Sequence, residues 1–130
     1  MDQDTDMRTP LGRVRGFGSA RSGTEDFWYE RLTAVALVPL TAAVILIVMS
    51  LLGRNHAAVV QILGSPIVAI IMLLFVLTTA YHMKLGMQVV IEDYVHDEAM
   101  KYTLLIGNLF FCVVVALAAS FAILKLSFGV

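Results

Sequence analysis

Two uninterrupted charge-free runs constrain this chain more than anything else in it. Residues 32–53 form one run of 22 between Arg31 and Arg54, and residues 102–124 form another of 23 between Lys101 and Lys125. A bilayer core about 30 Å thick is crossed by about 20 helical residues rising about 1.5 Å each. Both runs therefore meet the length of a membrane-spanning helix. A third candidate, residues 66–91, is apolar through Tyr81 and then carries His82, Lys84 and Gln88. The expectation is an all-α membrane protein with three transmembrane helices at about 32–53, 66–91 and 102–124, joined by short loops in an up-down-up order.

Composition excludes the main competitors. The chain is 59% hydrophobic and 15% charged, against about half and about a quarter in a water-soluble domain. A net charge of −1 leaves no field to recruit nucleic acid. The single cysteine, Cys112, can close no internal disulfide and lies within an apolar run, where it reads as a small hydrophobe. Cysteine-based zinc clusters are excluded on the same count.

Residues 1–31 read as a polar N-terminal arm and residues 32–130 as the three-helix anchor domain. A cleavable signal would place its apolar stretch within about the first 15–30 residues, where this chain is polar. The first helix is thus expected to stay as an anchor, with Trp28 and Tyr29 at the headgroup level. Arg8, Arg13, Arg15, Arg21, Arg31 and Lys101 fall on one side of the bilayer, Arg54 and Lys125 on the other. The basic excess assigns the first side, and the N-terminus, to the cytoplasm. The acids Glu92, Asp93, Asp97 and Glu98 share that side and form a polar surface for a partner.

Polar residues inside the third candidate carry whatever chemistry the chain has. His82 lies 15 residues past Ile67, about 22 Å along the axis, within the hydrocarbon and toward its cytoplasmic half. A histidine there is either a satisfied hydrogen-bonding residue of the bundle or a ligand for a metal or haem. Gly86, one turn on, either gives a flat macrocycle room beside that ring or lets another helix approach. Lys84 points to a different face and is expected to snorkel toward the cytoplasmic headgroups. Tyr94 lies about 18 Å beyond His82. It reads as an interfacial anchor, or as a hydrogen-bond donor to a quinone carbonyl with Asp93 assisting proton supply. His56 and His96 are expected to be solvated loop residues.

The segment HMKLGMQVVIEDYV, residues 82–95, resembles the H-x-x-x-G-M-x-x-V/L-x-x-D-Y-V pattern of the small hydrophobic anchor subunits of succinate dehydrogenase, respiratory complex II. Upstream, GSARSGTEDFWYERLTAVALVPL, with arginine followed by Thr-Ala at the start of the first helix, is similar to the same family. The resemblance implies packing against a second three-helix anchor, with the iron-sulfur and flavoprotein subunits docked on the cytoplasmic face of a bacterial inner membrane. It implies haem b shared between the two anchors, with His82 as one axial ligand, Gly86 beside the macrocycle and Arg31 near the propionates and quinone. Tyr94 and Asp93 would belong to the ubiquinone site. FAD and the iron-sulfur clusters would reside in other subunits, so the chain would be part of an enzyme without supplying a catalytic residue. The other axial histidine, and the serine and arginine completing the quinone pocket, would come from the partner anchor.

Three other readings stand beside this one. An anchor of a quinol:fumarate reductase would have the same sequence pattern, and a purely structural anchor would have lost haem. A small transporter would need an ionisable group in its pathway, which the first and third helices lack.

Overall fold

A computed structural model describes residues 19–129, with side chains from Thr24 onward. Arg8, Arg13, Arg15 and the arm before residue 19 lie outside the described residues, as does the side chain of Arg21. The described residues form four helices, α1 (Ser19–Leu51), α2 (His56–Leu63), α3 (Pro66–Tyr94) and α4 (Glu98–Phe128).

Three of these are long and apolar enough to cross a membrane: Thr24–Leu51, Pro66–Tyr94 and Glu98–Phe128. Their most apolar windows bury only 0%, 11% and 6% of their residues inside the chain. Phe110, Phe111, Val114 and Leu117 of α4 and Val35, Val38 and Leu46 of α1 are more than half exposed. Apolar surface so extensive is stable only against lipid or another apolar protein face.

All three spans extend beyond the charge-free runs. Absence of charge measures the lipid core, whereas helix formation tolerates polar residues and is favoured by some of them at the ends. Glu98 sits in the first turn of α4 and Lys125 in its last, each complementing the helix dipole. Glu92 and Asp93 consequently belong to α3, Glu98 and Lys101 to α4, and the connection between these helices is only residues 95–97. Asp26, Glu30 and Arg31, expected in the arm, lie on α1.

The structure also adds α2 where a plain loop was expected. Asn55 caps it by accepting a hydrogen bond from the Ala58 amide at 2.9 Å, and Gly64 ends it. That cap, apolar stretch and glycine are visible in NHAAVVQILGSP as a helix signature. The Ser65 hydroxyl donates to the Ile62 carbonyl at 2.9 Å, and Pro66 opens α3 at a position that needs no amide proton.

α3 is the central helix, with α1 packed along one side and α4 along another, while α2 touches all three at one end. Leu85 of α3, at 2% exposure, is the most deeply buried side chain among the described residues. Asn108 of α4 donates to the Lys84 carbonyl at 3.0 Å, and the Cys112 thiol to the Asn108 side-chain oxygen at 3.6 Å. Cys112 is buried, as its reading as a small hydrophobe requires.

Candidate functional site

The seam between antiparallel α1 and α3 brings the polar residues of both helices together. Tyr29 meets Tyr81 edge to face, with ring centroids 6.2 Å apart. Next to them the Thr33 hydroxyl lies 2.9 Å from Nδ1 of half-buried His82. The same hydroxyl is 2.8 Å from the Tyr29 carbonyl and 3.0 Å from the Glu30 carbonyl of its own helix. Toward the end formed by the start of α1 and the close of α3, the Gln88 amide donates to Asp26 at 3.3 Å and to Glu92 at 3.2 Å. These residues border a groove of about 290 Å³ lined also by Phe27, Glu30, Leu85 and Val89.

Gly86 lies about 40° around α3 from His82 and one turn nearer that end. A methyl group built on it would meet nothing within 4 Å. Among the described residues no helix uses the missing side chain for close approach, so the space beside Gly86 opens away from their packing. Among the described residues, no three His, Cys, Asp or Glu side chains gather to hold a metal ion. The described residues alone would therefore not supply the full ligand set of a bare metal ion bound through His82.

Asp93, eleven residues beyond His82, returns to within about 20° of the same face, and Tyr94 ends the helix. Both are exposed, Tyr94 to 77%. Arg31 is exposed as well, and its guanidinium packs 4.5 Å from the centroid of the Phe27 ring. It is two residues from Thr33, hence roughly 200° around α1.

Lys84 departs from its expected posture. Its ammonium lies 6.0 Å from the centroid of the Tyr81 ring, one turn back along α3 and away from the end carrying Tyr94. Helical side chains lean toward the N-terminus of their own helix, and on α3 that direction opposes snorkelling toward Tyr94. His96 follows α3 in the expected loop, whereas His56 opens α2; both are exposed.

Sequence reasoning picked out His82, Gly86, Asp93 and Tyr94 but gave no role to Thr33, Gln88 or Asn108. The signal for these was their polarity within or beside spanning segments, where each polar group must find a partner.

The family model for the succinate dehydrogenase/fumarate reductase transmembrane subunit matches residues 5–117. The succinate dehydrogenase hydrophobic membrane anchor subunit of Rickettsia bellii (strain RML369-C) is 35% identical over 115 residues, covering 87% of this chain and 90% of the relative. The subunit of the same name from Paracoccus denitrificans is 31% identical over 121 residues, covering 93% of each. A succinate dehydrogenase membrane anchor subunit from Reclinomonas americana is 27% identical over 88 residues, 65% of this chain and 73% of that one. No solved structure gives a significant match. The family match takes in α2, α3, the described part of α1 and most of α4, the same elements that hold the His82 seam, and the chain belongs to the succinate dehydrogenase/fumarate reductase transmembrane subunit family.

Proposed function

We propose that this chain is the small hydrophobic anchor of a succinate:ubiquinone oxidoreductase in a bacterial inner membrane, where it holds half of a haem b site and part of the quinone site. The observation that carries the reading is the pairing of His82 with the open space at Gly86 one turn away. Family membership and the names of the bacterial relatives support the assembly. A second three-helix anchor would cover the exposed apolar faces, and the iron-sulfur and flavoprotein subunits would dock at the end bearing Glu92, Asp93, Asp97 and Glu98. The six-to-two basic count favours a cytoplasmic location for that end and for the N-terminus.

The donor set of this chain fits haem. A porphyrin brings four nitrogen ligands of its own, so one imidazole from each anchor would complete the iron's set, whereas a bare metal ion would need more ligands than the described residues group together. His82 would hold the haem iron, Gly86 would leave the ring room, and Arg31 would supply positive charge near the propionates and quinone. When bound, haem b would supply a one-electron carrier with no open coordination position.

Quinone chemistry falls to the end of α3. Reduction of ubiquinone to ubiquinol takes two electrons and two protons, the electrons coming from succinate through FAD and the iron-sulfur clusters of the other subunits. The Tyr94 hydroxyl donates a hydrogen bond to a quinone carbonyl, stabilising negative charge as it develops there. Asp93, exposed beside it, takes up protons from water and passes them toward the carbonyl oxygens. Succinate oxidation lies in the flavoprotein subunit, and the isolated chain has no activity of its own.

The family description covers the fumarate-reducing direction too, but the relatives' names favour succinate oxidation. Purifying the assembly from solubilised membranes tests the reading. The expected result is four subunits with a low-spin b-type spectrum, which His82→Ala abolishes or converts to high spin. Purification without a flavoprotein, or an unchanged spectrum in His82→Ala, refutes it.

A further inference from the structure

We propose that Thr33 is a positioning residue that fixes His82 as the tautomer protonated on Nδ1, leaving Nε2 as the nitrogen able to ligate, and that it thereby tunes the haem potential. The inference rests on the reading of His82 as an axial ligand.

Proton counting carries it. A threonine hydroxyl has one proton and two lone pairs. The Thr33 oxygen has three close neighbours, the carbonyls of Tyr29 and Glu30 and Nδ1 of His82, at 2.8, 3.0 and 2.9 Å. Carbonyls only accept, so the single hydroxyl proton is shared between them, in the back-bonded arrangement usual for threonine in a helix. Were it turned toward Nδ1, the Thr33 lone pairs would face two carbonyl oxygens at 2.8 and 3.0 Å with no proton between. All three contacts are satisfied only when Nδ1 carries a proton and donates it to Thr33. A neutral imidazole protonated on Nδ1 is bare on Nε2.

The acceptor is also held still. Its hydroxyl is tied to two carbonyls of α1, and the α1–α3 seam is pinned alongside by the Tyr29–Tyr81 and Asp26–Gln88 contacts. A ligand histidine that donates its second N–H gains basicity and has its ring orientation set. A more basic ligand favours ferric over ferrous iron. The hydroxyl is neutral, so its pull is weaker than that of a carboxylate and leaves the potential higher than a carboxylate partner would.

Removing the oxygen while keeping the shape, as Thr33→Val does, should raise the haem midpoint potential, and Thr33→Ser should restore most of the original value. Outer-shell partners of ligand histidines are worth about 10- to 100-fold. For a neutral acceptor the expected change in the ferric-to-ferrous equilibrium is at most about tenfold, about 59 mV for one electron. The experiment is a redox titration of the b-type absorbance in the purified four-subunit complex, with the low-spin ferric resonance signal and haem-to-flavin ratio recorded beside it. His82→Ala is the reference. If it leaves the spectrum unchanged, the ligand reading and this inference fall together. If the spectrum depends on His82 but Thr33→Val moves neither potential nor resonance signal, this inference alone is overturned. Should Thr33→Val assemble without haem, normal haem content in Thr33→Ser supports the hydroxyl's role, and loss in both variants overturns it.

Discussion

Gly64, at the corner between α2 and α3, is where a side chain would meet backbone at too short a distance. Its backbone is ordinary, with φ −83° and ψ −8°, so the constraint is space and not conformation. A Cβ there would lie 2.9 Å from the Leu126 carbonyl oxygen of α4 and 3.0 Å from the Val60 oxygen of α2, about half an ångström inside the 3.4 Å at which ordinary contact begins. Neither oxygen ends a flexible side chain. The Val60 oxygen already accepts from the Gly64 amide at 2.8 Å, so relief must come from moving the α2–α3 corner off the last turns of α4. Overpacking of this kind costs about 1–3 kcal/mol. Alanine also restricts the unfolded chain, which returns about 0.4–1 kcal/mol. Gly64→Ala should therefore destabilise the anchor, by up to about 2.6 kcal/mol. Eight residues cannot hold a helix unaided, so α2 should loosen first. Denaturant titration of the purified membrane complex in detergent should show an earlier midpoint, with faster amide exchange across residues 56–63. Tyr94 lies about 42 Å away along α3, so quinone turnover should be unchanged under mild conditions. An unaltered midpoint with unaltered exchange in α2 would refute the steric account.

At the opposite end, Tyr94→Phe keeps the ring and removes the donor. Leaving a buried acceptor unpaired costs about 1–3 kcal/mol, so quinone reduction should fall roughly 5- to 150-fold while electron delivery to a water-soluble dye upstream of the quinone persists; equal retention of both activities removes Tyr94 from the site. Asn108→Leu deletes the bond from α4 to the Lys84 carbonyl and the acceptor of the Cys112 thiol. A stability loss of about 0.6–1.7 kcal/mol is expected in the same denaturant assay, and a variant as stable as the parent would show that this bond contributes nothing net. For topology, with Cys112 replaced by Ser, an impermeant thiol reagent applied to intact cells should label Phe128→Cys and spare His96→Cys. The reverse pattern means the chain is inverted.

Where the chain meets lipid, and which residues interrupt that encounter, was legible from the order of its residues. Lipid solvates neither charge nor unpaired backbone, so residues 32–53 and 102–124 could scarcely be anything but spanning helices. His82 and Gly86, four residues apart on one helix, share a face by geometry alone. Helix ends were less legible, because α1 starts at Ser19 and α3 continues to Tyr94 through residues that lipid rejects but a helix accepts. The tertiary structure alone decided the contacts between helices. Thr33 and His82 are 49 positions apart, and their meeting depends on the register and rotation of α1 against α3, which side-chain packing along the whole seam sets. Rotation decides in the same way that Asn108 reaches the Lys84 carbonyl. The lean of Lys84 toward Tyr81 follows from the direction in which α3 crosses the bundle. Hydropathy fixes how deep a residue lies because depth is a property of one helix in its solvent, whereas partnership is a property of two helices.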